Sequence, residues 1–376
     1  MIYIHVPFCQ SRCIYCDFYS TVYGDEYKGK YVDKACLEIE QRAHELPSAP
    51  LRSVYFGGGT PSLLTPRQLG KLLEVVSQHY TLSSDTEVTL EGNPDDITVD
   101  KVRLWRNLGI NRVSLGVQSL HDETLRLLRR RHTAEQAVKA VDCLVQGGIE
   151  NVSIDLIYGL PGQTLHQWTA DLDAAFRLPV THISSYALSV EEGTALHAML
   201  KANRIEIAND ELYLSEYELL MDKAREHRFN HYEVSNFAID GHQSRHNSGY
   251  WEGVPYVGIG PGAHSYDGLQ TRRYNLPDLK RYVADAEDIP FESEQLSLRE
   301  RFNEQVFTSL RTSRGLDVAA LLRDYPHDWV DDLKEAAHSH IAGGRLHYKA
   351  DGRLCLTRSG LFVSDDVMSD FMEVDT

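Results

Sequence analysis

Three of the six cysteines in this 376-residue chain stand within eight residues, as Cys9, Cys13 and Cys16 in the spacing C-x3-C-x2-C. Thiolates this close, with no even set of partners nearby, suit a soft-ligand metal site better than a disulfide framework. Closed structural zinc takes four ligands, usually as two separated pairs. A [4Fe–4S] cube held by three thiolates leaves one iron open to a small chelating molecule, and the missing fourth ligand points to that arrangement. A scaffold metal knuckle is the plain alternative. Cys36, Cys143 and Cys355 are scattered singly in apolar surroundings and read as free thiols without chemistry.

The elements that must position these thiols follow from hydrophobic patterning. Ile2 to Val6 is an apolar, β-branched run stopped by Pro7, so the cysteine loop leaves the C-terminal end of a first strand. A helix is expected from about Tyr27 to Glu45, then a strand from Ser53 to Phe56 that runs into Gly57-Gly58-Gly59-Thr60-Pro61-Ser62, and a helix opening at Thr65-Pro66. Further strands at Glu87 to Glu91, Arg112 to Val117, Asn151 to Ile157 and His182 to Ala187 alternate with helical patterns at Thr98 to Leu108, Asp122 to Arg130, Ala134 to Gly147 and Leu165 to Phe176. Strands and helices in this order, without a dinucleotide fingerprint, predict an α/β fold: a partial (β/α)6 barrel of TIM-like type, with its active groups at the C-terminal strand ends. Glu91, Gln118 and Asp155 fall there, each either facing the mouth or serving as a satisfied core polar group. The glycine run lets backbone approach a ligand closely and presents a row of N–H donors. No Lys-Ser or Lys-Thr follows it, so it is not a phosphate loop.

Composition narrows the function classes. The chain carries 38 Lys and Arg against 55 Asp and Glu, a formal charge of −17, which repels a phosphate backbone and makes nucleic acid a poor partner. It holds no apolar run of membrane-spanning length, and the cysteine motif leaves no room for a cleaved leader, so a cytoplasmic location is expected. Clustered reduced thiols fit that compartment. Beyond about Pro290 the pattern changes to amphipathic helices at Leu298 to Arg311, Val318 to Asp324 and Asp328 to Ala342, then a hairpin at Leu346 to Leu356 turning at Asp351-Gly352. Three regions are expected: a barrel over 1–230, an extension of it over 231–290, and a winged-helix-like lid over 291–376. Acidic Asp331, Asp332 and Glu335 argue against DNA binding by that last region, which reads as a cover for the barrel mouth ending in a frayed acidic tail after Asp365.

With these residues in view, the cysteine spacing and Tyr15 just before the last thiol resemble the signature of the radical S-adenosylmethionine (SAM) enzymes. Tyr3-Ile4-His5-Val6-Pro7-Phe8-Cys9, Gly57 to Pro61, Leu115-Gly116-Val117-Gln118-Ser119, Asp155 to Gly162 and Gly258 to Ala263 together resemble the oxygen-independent coproporphyrinogen III oxidase family. The resemblance covers nearly the whole chain and implies a [4Fe–4S] cluster on Cys9, Cys13 and Cys16. It also implies SAM contacts at Tyr3, Tyr15, Gly58, Gly59, Thr60, Glu91, Gln118, Arg130 and Asp155. Two departures separate the chain from the oxidase branch. Phe18 stands where that branch has a further cysteine, and its N-terminal extension is absent. The short start and His246-Asn247-Ser248-Gly249-Tyr250-Trp251 resemble the HemW branch of haem chaperones, whose hallmark is H-N-x-x-Y-W.

That branch implies haem as a further cofactor and unidentified acceptor haemoproteins as partners, membrane-associated ones among the candidates. An imidazole beside aromatic rings suits an axial ligand and a porphyrin face, so His246, Tyr250 and Trp251 are the candidate haem residues; a packed His-aromatic staple is the alternative. His231, His242, His264, Cys143 and Cys355 are rival ligands. A carrier built on a radical SAM core is the leading reading. Radical decarboxylation of coproporphyrinogen III is the enzyme alternative, disfavoured by both departures, and tRNA modification is disfavoured by charge. No catalytic residue is assigned.

Overall fold

The computed structural model describes residues 1–284 and 288–373. Strands β1 (Ile2–Val6), β2 (Ser53–Gly58), β3 (Glu87–Gly92), β4 (Arg112–Gln118), β5 (Asn151–Tyr158) and β6 (His182–Ala187) lie side by side in sequence order and all run parallel. Crossover helices join the successive strands, as parallel pairing requires. The antiparallel hairpin β7 (Asn230–Glu233) and β8 (Asn236–Ala238) extends the sheet beyond β6, and β9 (Val257–Ile259) adds a parallel strand outside β1. Among the described residues no pairing joins β7 to β9, so the sheet is a barrel with one open side. The first expected helix runs Asp25–Gln41 and stops short of Glu45, with Arg42 at its C-cap.

Period-2 alternation gives this sheet two different faces. Ile2, Ile4, Val54, Phe56, Val88, Leu90, Val113, Leu115, Val152, Ile154 and Ile183 point outward into the main core beneath the helices. Inward positions are mostly polar, and the register aligns them: Tyr3 beside Tyr55, Thr89 beside Arg112, Glu91 beside Ser114, Asp155 beside Ser184. The barrel interior is therefore not a packed apolar core. Its polar walls suit a ligand chamber.

A second apolar core gathers Phe302, Val306, Leu310, Leu321, Val330, Leu333, Leu354 and Phe371 from the C-terminal helices and hairpin. This unit meets the rest of the chain through Val234 N to Arg311 O, Ser313 N to Tyr232 O and the Arg272–Glu304 ion pair. Those contacts seat it against β7 and the Arg272 segment, beside the open flank of the barrel. The expected frayed tail is corrected. Ser364–Ser369 is a helix whose Val367 and Met368 are buried, and Glu373 exchanges two backbone hydrogen bonds with the Asn303 side chain. Apolar residues spaced among the acidic ones supply the burial that the charge pattern concealed. The last three residues lie outside the described ones.

Candidate functional site

The cysteine loop leaves β1 at the C-terminal end of the sheet and returns beside it, held by Cys9 N to Thr21 O (2.8 Å) and Thr21 N to Pro7 O (2.7 Å). Cys9, Cys13 and Cys16 are free thiols, each partly exposed. Thr60 Oγ1 reaches Cys9 Sγ at 3.6 Å, and Arg130 Nη1 donates to Cys13 Sγ at 3.3 Å. Burial, with lesser contributions from the neighbouring thiols, pushes Cys16 up to about 11. Among the described residues no three His, Cys, Asp or Glu side chains converge on a single ion. A four-iron cube takes one thiolate at each of three separate corners, so three unbridged cysteines on one loop, with no fourth protein ligand among the described residues, fit it. Arg130 adds a positive charge that favours bound thiolate.

Around this loop the SAM candidates form two groups. Gly58, Gly59, Thr60, Arg130 and Tyr15 gather at the strand ends, with Asn93 joining Thr60 to Arg130 through bonds of 3.4 and 2.5 Å. Gln118 ends β4 at a bulge, with φ at 69°, and a Cβ on Gly116 would fall 2.9 Å from its amide and 3.1 Å from the Arg130 guanidinium. Glycine at 116 thus lets both groups close onto the strand backbone, where Arg130 donates to Gly116 O. Tyr3, Glu91 and Asp155 point down into the barrel. Glu91 accepts from Tyr55 Oη at 2.6 Å and from Gly58 N at 3.2 Å, and Asp155 accepts from Ser114 Oγ at 3.2 Å. Burial raises the Glu91 carboxyl to about 7 and that of Asp155 to about 6, against the partial relief of these bonds.

The His-Asn-x-x-Tyr-Trp segment is the helix Arg245–Trp251, at the opposite end of the barrel from the cysteines. Its N-terminal N–H groups are held by the Glu87 carboxylate, which accepts from Arg245 N (3.1 Å) and His246 N (3.2 Å), a favourable charge at a helix N-terminus. His246 is buried. Its Nδ1 meets Ser53 Oγ at 2.8 Å, its Nε2 meets Tyr250 Oη at 2.9 Å, and its ring stacks on Tyr55 with centroids 4.9 Å apart. Burial lowers its pKa to about 3, so it is a neutral imidazole with both nitrogens engaged. Trp251 faces the C-terminal unit, under the Arg311 guanidinium at 5.0 Å. His182 repeats the arrangement of His246, between Ser153 Oγ (2.7 Å) and Tyr232 Oη (2.8 Å).

One cavity of about 1490 Å³ joins the barrel interior to the helix Arg245–Trp251. Tyr3, Tyr55, Glu91, Arg112, Asp155 and His182 line it from the barrel, and His246, Tyr250 and Trp251 from below. Arg301, Thr308 and Tyr325 line it from the C-terminal wall. Of the rival ligands only His264 lines it, stacked on Tyr274; His231 packs on Phe237. Phe18, at the position of the oxidase branch's extra cysteine, is 64% exposed and lines the cavity too. Sequence reasoning missed Tyr55, Asn93, Arg112, Ser114 and His182. Tyr55, Arg112 and Ser114 alternate with apolar residues along β2 and β4, which puts each on one face of its strand; His182, in the run His-Ile-Ser-Ser, and Asn93 carry no such signal.

Two family models match the chain: the radical SAM superfamily over residues 3–175 and the HemN C-terminal domain over residues 296–363. The heme chaperone HemW of Bacillus subtilis is 31% identical over 98% of this chain and 98% of its own length, and that of Mycobacterium tuberculosis 36% identical over 98% and 93%. The Escherichia coli coproporphyrinogen III oxidase HemN shares the fold with a TM-score of 0.84, at 21% identity, over 98% of this chain and 89% of that one. Membership of the superfamily implies a [4Fe–4S] cluster and SAM. With relatives matched along nearly its whole length, the chain belongs to the HemW family of the radical SAM superfamily.

Proposed function

We propose that this protein binds haem in the cavity beneath its SAM chamber and delivers it to acceptor haemoproteins. The observation that carries this reading is the continuity of the cavity, which joins the barrel interior to the helix bearing His246, Tyr250 and Trp251. Its volume and its aromatic walls suit a flat macrocycle with polar edges. Cys9, Cys13 and Cys16 would hold the cluster, and Tyr3, Tyr15, Gly58, Gly59, Thr60, Glu91, Gln118, Arg130 and Asp155 would surround SAM. When bound, cluster and SAM supply one-electron chemistry at the upper end of the chamber. The chain's own residues supply orientation: Arg130 steadies the Cys13 sulfur, Glu91 fixes Gly58, and the Tyr55 ring stacks against His246 while its hydroxyl holds Glu91.

No helix among the described residues is long and apolar enough to cross a membrane. Delivery to membrane-associated acceptors would then rest on docking. The test is an anaerobic titration of cluster-loaded protein with haem, with and without SAM, beside an assay for vinyl product from coproporphyrinogen III. A Soret band that saturates at one haem per chain without vinyl product supports the carrier. Conversion of coproporphyrinogen without haem binding replaces it with the oxidase.

A further inference from the structure

Arg112 opens β4 with its side chain turned into the barrel, where it lines the cavity and is only 2% exposed. Among the described residues this guanidinium makes no hydrogen bond and no ion pair, and its Nε is buried without a partner. Its neighbours do not take its donors. Glu91 already accepts from Tyr55 and Gly58, and Asp155 accepts from Ser114. Both carboxyls feel the Arg112 charge but lie beyond ion-pair distance. Thr89, level with Arg112 in the strand register, is likewise buried with an unpartnered Oγ1. A buried arginine carries five N–H donors in a rigid fork and is costly to leave unmatched. Two orphaned polar groups in one layer of a ligand chamber mark a place where a ligand supplies the acceptors.

Resting on the haem reading above, we propose that Arg112 is the receptor for a propionate carboxylate of the bound tetrapyrrole. The carboxylate pairs with the guanidinium fork in two parallel hydrogen bonds, a geometry that lysine does not reproduce. Arg112 then fixes which edge of the macrocycle enters the barrel, while the iron and the ring face are left to residues of the lower helix. Glu91 and Asp155, both held toward their neutral forms by burial, oppose an incoming carboxylate less than ionised ones would.

The experiment compares haem, haem dimethyl ester and iron-free protoporphyrin IX on the full, cluster-loaded chain, as wild type, Arg112→Gln and Arg112→Lys, with dissociation constants read from the Soret band. Wild type should prefer haem to its ester by about 10- to 100-fold, as expected for hydrogen bonds to a charged group. Arg112→Gln should lose most of that preference while keeping its affinity for the ester, and Arg112→Lys should fall between. Protoporphyrin IX should show the same dependence on Arg112, since it carries the propionates without iron. Equal binding of haem and ester by wild type overturns the proposal, and so does undiminished preference in Arg112→Gln. If that variant does not fold, the wild-type preference and the lysine variant decide. Failure of wild type to bind any of the three porphyrins defeats the haem reading itself, an outcome distinct from binding that ignores esterification.

Discussion

His246 Nε2 and Tyr250 Oη, one helical turn apart, share a 2.9 Å hydrogen bond inside the cavity wall. An iron that takes this imidazole must displace Tyr250, because Ser53 already holds the other ring nitrogen. Tyr250→Phe should therefore tighten haem binding severalfold, the equivalent of about 1 kcal/mol for one net hydrogen bond, without moving the Soret maximum. His246→Ala should weaken binding and shift the band. Unchanged spectra and affinities in both variants would remove His246 from the iron and turn attention to His264, which also lines the cavity.

The same burial makes His246 an acid-sensitive element. Its folded pKa, lowered to about 3, lies below the ordinary histidine value near 6.5, so the unfolded chain takes up the proton first as pH falls. The stabilisation is whole above pH 6.5 and is lost as pH drops from there toward 3. At pH 5.5 the loss from this residue is about 1.4 kcal/mol. Urea unfolding of cluster-free wild type at pH 7.5 and pH 5.5 should show that extra loss relative to His246→Gln, which can still hydrogen-bond to Ser53 and Tyr250. Parallel behaviour of the two proteins would mean that the imidazole is hydrated in solution.

The six parallel strands were legible in sequence because each carries an outward row such as Ile2-Ile4-Val6 or Val113-Leu115-Val117, and local patterning is enough to find a strand. The cysteine loop was legible because its ligands are neighbours in sequence. What patterning did not disclose is the interior. Alternation places Arg112 and Ser114 on one face of their strand, but only the register between strands shows that this face converges with those of Glu91 and His182. The helix at Arg245–Trp251 was recognised as a motif but not as the base of the barrel. Its place depends on contacts with Ser53 and Glu87, more than 150 positions away, which no local signal encodes.

Gly59 has a role that the glycine run alone did not reveal. A Cβ there would stand 2.7 Å from Phe8 O and 2.9 Å from Val6 O, backbone atoms that lead directly into Cys9. Gly59→Ala should therefore destabilise the cluster-free protein by about 1–3 kcal/mol through overpacking, before any ligand is added. Thermal unfolding without iron or SAM checks this. A variant as stable as wild type would mean that the space above Gly59 is open and that the residue serves ligand access alone.

Arg130 ties the cluster loop to the sheet, donating to Cys13 Sγ at 3.3 Å, to Asn93 Oδ1 at 2.5 Å and to Gly116 O. If Cys13 holds a cluster corner, this N–H to sulfur bond and its positive charge favour the added electron, as hydrogen bonds to cluster sulfurs generally do. Arg130→Gln should then make the midpoint potential more negative. A charge-assisted bond of about 1.5 kcal/mol corresponds to about 60 mV for a one-electron couple. Arg130→Lys, which keeps the charge but not the fork, should shift it less. Potentiometric titration followed by electron paramagnetic resonance, on samples matched for iron content, reads the difference. Equal potentials in wild type and Arg130→Gln, with the cluster fully loaded in both, would place the Cys13 sulfur out of reach of this arginine once iron is bound.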